Sequence, residues 1–240
     1  MLHSTYRHAA YFSPALDSQA WQLGSHWLGR NAHQLVAIKQ PEFKGLSAQF
    51  FEQVTRAPRL YGWHATLKAP FELNSNVSLE DLRNAFKKLS FDSVNAFHVP
   101  MKLDDMGDFL ALVPSHYSQE LQALADLCVH ALHPFALPLS EAEIQRRSSS
   151  GLTARQHELL AQWAYPFVMD QFQFHMTLTG SLKDCDPQHK DGLKAAAIEW
   201  FAPILENGMN IDAVTWFSQD QKHGDFRWVE RFELGPSNCA

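Results

Sequence analysis

Apolar and polar positions alternate at two periods along the chain, and each change of period marks a predicted element. Tyr6 to Phe12 is dense in β-forming residues and ends at Ser13-Pro14, so it predicts a strand. Asp17 then stands where it can cap a helix whose apolar face is Ala20, Trp21, Leu23, Trp27 and Leu28. Ser47 precedes a second helical stretch through Phe50, Phe51 and Val54 that ends near Ala57-Pro58. Tyr61 to Ala69 reads as a strand stopped by Pro70. Ser78 can cap an amphipathic helix carrying Leu79, Leu82, Phe86 and Leu89 on one face. Val94 to Lys102 and Phe109 to Val113 predict a hairpin around Asp104-Asp105-Met106-Gly107-Asp108.

The second half nearly repeats this order. A helix is expected from about Gln119 to Leu132, followed by a break at Pro134 and Pro138 and two short capped helices starting near Ser140 and Thr153. Phe167 to Leu182 holds Phe172, Phe174, Met176 and Leu178 in strand-like alternation. Lys190 to Leu205 reads as helix, and Ile211 to Leu234 as a hairpin turned at His223-Gly224. No Gly/Ser-rich linker separates the halves. The expected architecture is therefore α+β, one bilobal domain over residues 1–240 with pseudo-repeats of roughly 1–118 and 119–240, whose strands are open to exchange between lobes.

Composition narrows the partners. With 20 Lys+Arg against 26 Asp+Glu, the net charge of -6 supplies no general attraction to nucleic acid, so an anionic ligand must be met by a local site and long RNA or DNA is a poor partner. Cys128, Cys185 and Cys239 are too few and too scattered for a disulfide framework, which points to a reducing compartment. No apolar run approaches the ~20 residues that span a bilayer, and the start lacks a signal-peptide pattern, so a cytoplasmic protein is expected.

Three His-x-Thr tripeptides occur, where 13 His and seven Thr in 240 residues make about 0.4 expected by chance. His3-Ser4-Thr5 lies at a terminus and is set aside. His64-Ala65-Thr66-Leu67 and His175-Met176-Thr177-Leu178 each follow an aromatic, Trp63 and Phe174, and stand 111 residues apart. On a strand, His and Thr at i and i+2 share one face about 6 to 7 Å apart, while Trp63, Ala65 and Leu67, or Phe174, Met176 and Leu178, turn to the other. Hydrolysis of a phosphodiester needs one group to activate water and another to protonate the leaving oxygen. Two imidazoles with pKa near ~6.5 can divide these tasks at neutral pH, and two hydroxyls can bind the non-bridging oxygens. A lone strand histidine is more often a half-buried residue bonded to a carbonyl; the pairing favours the chemical reading.

The pair resembles the mark of the two-histidine (2H) phosphoesterase superfamily. Tyr61-Gly62-Trp63-His64-Ala65-Thr66-Leu67-Lys68-Ala69-Pro70-Phe71 and Phe172-Gln173-Phe174-His175-Met176-Thr177-Leu178-Thr179-Gly180 are similar to its branch found with phosphonate-utilisation genes. The Tyr6-to-Pro14 strand, Pro138-Leu139-Ser140 and Leu152-Thr153-Ala154-Arg155-Gln156 resemble it too, with Trp63 standing where that branch has Phe. The resemblance implies a duplicated fold with two antiparallel sheets facing a central cleft and helices outside. It also implies a cyclic phosphodiesterase that works without metal or other cofactor, with His64 and His175 catalytic and Thr66 and Thr177 binding phosphate. Which histidine is the base stays open. The implied partner is a small phosphorylated substrate, a cyclic phosphate of a nucleotide or ribose phosphate. An RNA-end 2′,3′-cyclic phosphodiesterase or ligase, or a non-catalytic binder of phosphorylated ligands, are the alternatives.

Further candidates carry two readings each. Lys68 extends the strand face of His64 and Thr66, to meet phosphate or to end the strand in solvent; Thr179 holds the matching position in the second motif. Tyr11 is the aromatic best suited to the site, whereas Trp63 and Phe174 belong to the core by face. Arg146 and Arg147, with Arg155, can clamp a second phosphate or lie as exposed helix arginines. The chain has no His-Glu-x-x-His or Cys-x-x-Cys metal motif, no Gly-x-x-x-x-Gly-Lys-Ser/Thr loop and no Gly-x-Ser-x-Gly elbow.

Overall fold

The computed structural model describes residues 6–149 and 151–235; His3-Ser4-Thr5 and Cys239 lie outside them. The chain opens with β1 (Arg7–Phe12) and α1 (Gln19–Leu28). Ser18 rather than Asp17 caps α1, its hydroxyl accepting from the Trp21 N–H, because it stands one residue closer to the first helical turn. A small hairpin, β2 (Arg30–Asn31) and β3 (Val36–Ala37), leads to α2 (Ala48–Arg59), capped by Ser47 as expected. β4 (Ala65–Phe71) starts later and ends later than its pattern predicts. Gly62 takes φ 79, and a Cβ there would meet the Ala32 Cβ at 2.6 Å, so residues 61–64 form a left-handed turn into the strand. Pro70 does not stop β4: the β1 pairing steps from His8↔Phe71 to Ala10↔Lys68, and at that irregularity the missing proline N–H costs no ladder bond.

α3 (Leu79–Asp92) begins with a full capping box between Ser78 and Asp81. β5 (Phe97–Val99) is cut off by Pro100 from β6 (Met101–Asp105), and only β6 forms the predicted hairpin with β7 (Leu110–Pro114). α4 (Gln119–Leu132), α5 (Glu141–Ser148) and α6 (Ala154–Trp163) follow where predicted. The second histidine segment contracts to β8 (Met176–Thr177). Its alternation is one of burial more than of strand: Phe174, Met176 and Leu178 are buried, but the Leu178 N–H turns to the Leu110 carbonyl and the Gly180 N–H to the Val54 carbonyl, so the chain leaves the ladder against α2. α7 (Pro187–Trp200), α8 (Ala202–Asn207), β9 (Met209–Ile211), β10 (Ala213–Gln219) and β11 (Phe226–Glu233) complete the order, with β9 pairing β5.

The α+β class is borne out, with antiparallel pairing throughout. Seven strands run β11-β10-β1-β4-β8-β7-β6, so the two halves expected as sheets meet through the two-residue β8. α4 packs on β4, and α3 covers β10, with Phe86 stacked on Trp216 at 5.8 Å. Trp63 and Phe174 are core, as their face predicts: Trp63 lies 5.4 Å from Phe201 and Phe174 5.9 Å from Phe12. Gly24 permits the first contact, since a Cβ there would sit 1.9 Å from the Trp63 ring. Among the described residues Cys128 and Cys185 are free thiols, and no helix is long and apolar enough to cross a membrane.

Candidate active site

One backbone pairing organises the site. Ala65 of β4 pairs with Met176 of β8 in antiparallel register. Continued one residue each way, that register sets His64 opposite Thr177 and Thr66 opposite His175, all on the face away from Ala65 and Met176. Ala65 and Met176 are fully buried while the four polar residues are half-buried, as this alternation requires. Opposite side chains on such a pair are about 5 Å apart and diagonal ones about 7 to 8 Å, so the histidines occupy one diagonal of a square and the threonines the other.

Each imidazole is tied back in the same way. His64 Nδ1 lies 2.8 Å from the Gly62 carbonyl, and His175 Nδ1 lies 2.8 Å from the Gln173 carbonyl. A carbonyl only accepts, so Nδ1 carries the proton in both rings and Nε2 is left for chemistry. Thr66 Oγ1 is 3.4 Å from His64 Nε2. Burial pushes the His64 imidazole down to about 4, opposed by the Gly62 carbonyl and reinforced by His175. Although half-buried on its cavity side, the ring is neutral at pH 7. Tyr11 lies against it at 4.0 Å and Tyr61 at 5.9 Å.

Above this face is a cavity of about 880 Å³ bordered by His64, Thr66, Thr177, Tyr11, Arg146 and Arg147. His175 is not in its wall; it stands at the margin, 5.8 Å from the wall residue Phe109. Tyr11 is fully buried under His64, and its hydroxyl has no hydrogen-bond partner among the described residues. Three expectations need correction. Lys68 does not share the face of Thr66: the register shift that sets Tyr11 opposite Thr66 and Ala10 opposite Lys68 turns it to the other side, where it is buried beside Phe71 and Cys128. Thr179 borders the cavity but is fully buried, and its Oγ1 accepts the Leu110 N–H at 3.1 Å, which makes it a brace for β7. Arg155 is separate from Arg146 and Arg147, held instead by Asp170 and Glu158. Arg146 and Arg147 both bond Glu143, and Arg147 also donates to the Ala164 carbonyl, which fixes their place at the rim.

The model of a family described as "Protein of unknown function (DUF1045)" matches residues 66–227, more than half of the chain. The chain belongs to that family. "Ribose 1,5-bisphosphate phosphokinase PhnN" of Janthinobacterium sp. (strain Marseille) is 34% identical over 210 residues, 87% of this chain and 46% of that protein. The protein of the same name from Laribacter hongkongensis (strain HLHK9) is 33% identical over 208 residues, 83% of this chain and 48% of its own. The chain thus spans about half the length of these curated relatives. Among solved structures, E. coli LigT complexed with 3′-AMP aligns over 96% of this chain and 99% of its own at 10% identity and a TM-score of 0.45. A crystal structure of a phosphoesterase aligns over 96% and 99% at 12% identity and a TM-score of 0.43. The resemblance to two-histidine phosphoesterases holds in this DUF1045 chain on its own geometry: both motifs share one face of an antiparallel α+β fold.

Several wall residues escaped the sequence reading. Arg7, Tyr61 and Phe109 all border the cavity. Arg7 is brought in from a distant segment, and no local pattern marks it. Gly62 had a signal, a glycine two residues before a candidate histidine, where the chain must turn so that its carbonyl meets Nδ1.

Proposed function

We propose that this chain is a phosphoesterase that hydrolyses a cyclic phosphodiester of a small nucleotide or ribose phosphate without a metal ion, with His64 as general base and His175 as general acid. The observation that carries the reading is the Ala65–Met176 register, with both Nδ1 atoms tied to the carbonyl two residues earlier. His64, neutral at pH 7, takes a proton from water through Nε2 as the water oxygen attacks phosphorus. The P–O bond to the leaving oxygen breaks, and protonated His175 delivers its Nε2 proton to that oxygen. Thr66 and Thr177 donate hydrogen bonds to the non-bridging oxygens, and Tyr11 holds the His64 ring by packing against it.

The relatives' name refers to a ribose bisphosphate, which supports a sugar phosphate over an RNA end, as does the acidic charge balance. The phosphokinase in that name is not read onto this chain, which covers about half of each relative and has no Gly-x-x-x-x-Gly-Lys-Ser/Thr loop. The same reading takes residues 1–240 as one bilobal unit whose halves exchange strands at β10–β1 and β4–β8, acting in the cytoplasm, where free thiols persist. The test is a panel of cyclic phosphates, with wild type and a chelator, read by phosphorus NMR. Conversion of one of them to a monoester is expected. Saturable binding with no turnover of any member would leave a phosphate-binding protein in place of an enzyme.

A further inference from the structure

Lys68 has no part in the histidine face. It is 5% exposed, its ammonium lies 5.3 Å from the Phe71 ring centre, and Cys128 and His133 are its electrostatic neighbours. Among the described residues neither a carboxylate nor a hydrogen-bond acceptor meets its Nζ. Buried ammonium groups are ordinarily paired, so this one lacks the anion its setting calls for. Lys68 borders a second cavity of about 630 Å³, which shares Arg7, Ala69, Pro70, Arg146, Arg147 and Tyr165 with the histidine cavity, so the two adjoin. Five cations line the second cavity, Arg7, Lys68, Arg146, Arg147 and Lys222, against the carboxylates of Glu72 and Glu143. Glu143 is divided between Arg146 and Arg147, and Glu72 bonds Tyr6. Arg7 donates Nε to the neutral Gln219 at 2.8 Å and meets no carboxylate among the described residues. In a chain of net charge -6, such a surplus of positive charge is local to this cavity.

We infer that the second cavity is an anion subsite, in which Lys68 and Arg7 hold a phosphate monoester carried by the same small molecule whose cyclic phosphodiester lies on the histidine face. The substrate is then doubly anionic. The inference rests on the proposed function only in assigning the cyclic ester to the histidines; the anion subsite itself follows from the buried Lys68 ammonium and the excess of cations over carboxylates along this cavity.

The test uses the full chain with two cyclic ribose phosphates that differ only in a phosphate at the 5-hydroxyl. Wild type is expected to favour the doubly phosphorylated ester in kcat/KM by roughly 10- to 100-fold, the yield of one or two charge-assisted hydrogen bonds, mainly through KM. Lys68→Met should bring that ratio close to one. Titration with inorganic phosphate, followed by amide NMR, should give saturable shifts around residues 6–8 and 67–69 in wild type that Lys68→Met abolishes. A wild-type ratio near one, or a preference that survives in Lys68→Met, would overturn the subsite. Should neither ester be hydrolysed, the catalytic reading fails and the phosphate titration alone decides: shifts lost in Lys68→Met uphold the subsite, and their absence in wild type ends it. Arg7→Gln repeats each arm if Lys68→Met does not fold.

Discussion

His64 leaves a glycine turn and enters the seven residues of β4, between β1 and β8, whereas His175 heads the two residues of β8, between β4 and β7. Around His64 stand Tyr11 and Tyr61; around His175 stands Phe109 at the cavity margin. What the two regions share is small: the alternation that turns His and Thr to one face, and an Nδ1 bond to the carbonyl two residues back. A two-residue ladder suffices to bring the two histidines to one face, because the register needs only one fixed residue pair. What differs is the packing. Enclosure by aromatic rings keeps His64 neutral and suits it to accept a proton.

The sharpest way to break this comparison is to remove each imidazole. His64→Ala and His175→Ala should each lower kcat by 10² to 10⁴, roughly the contribution of a positioned acid or base, with circular dichroism unchanged. The double variant should lose little more than either single, since the pair acts as a unit. Near-wild-type turnover in either single variant would separate that histidine from the chemistry.

Next in size are the threonines. Thr66→Ala and Thr177→Ala each remove a hydrogen bond to charged oxygen, worth roughly 1.5 to 3 kcal/mol, so kcat/KM should fall about 10- to 150-fold while activity stays measurable. Equal losses would support the square arrangement; loss at one threonine alone would show that phosphate lies nearer one motif.

The two carbonyl ties offer an asymmetric test. Gly62→Ala puts a Cβ at φ 79 and against Ala32, so it should cost about 1 to 2 kcal/mol in chemical denaturation and lower kcat by moving the carbonyl that holds His64. Gln173→Ala leaves its backbone carbonyl in place and should be close to wild type in both. A kcat loss in Gln173→Ala would show that its side chain matters.

The pH dependence follows from the sign of the His64 shift. Its folded value, about 4, is below the ordinary histidine value of ~6.5, so the base stays deprotonated until pH falls through the lower value. The acid limb of kcat/KM should therefore lie below pH 6.5 and move upward in Tyr11→Leu, which removes the ring packed against His64. An acid limb at or above pH 6.5 in wild type would reverse the assignment of base and acid. The smallest expected effect is that of a chelator, which should leave kcat unchanged; full loss restored by a divalent ion would indicate a metal-assisted hydrolase.

Much of this was legible in the chain itself. The periodicity gave α3, α4 and β7 near their observed bounds, because capping residues, apolar faces and turn residues are local signals, whereas the strand expected over Val94 to Lys102 divides at Pro100 and only Met101–Asp105 pairs with β7. The paired His-x-Thr segments were legible because strand alternation is a rule of backbone geometry, and the same rule assigned Trp63 and Phe174 to the core. Tertiary structure decided the rest. A bulge beyond Thr66 turned Lys68 to the opposite side, which alternation cannot foresee because it assumes an unbroken register. The second motif shrank to two ladder residues because, beyond the Leu178 bond to the start of β7, Gly180 found its acceptor at Val54 of α2. Arg7, Tyr61 and Tyr165 joined the cavity through contacts distant in sequence, and burial against Tyr11 keeps His64 neutral, which its motif alone does not foretell. Sequence fixed which groups could act together; the packing around each one set its charge and its direction.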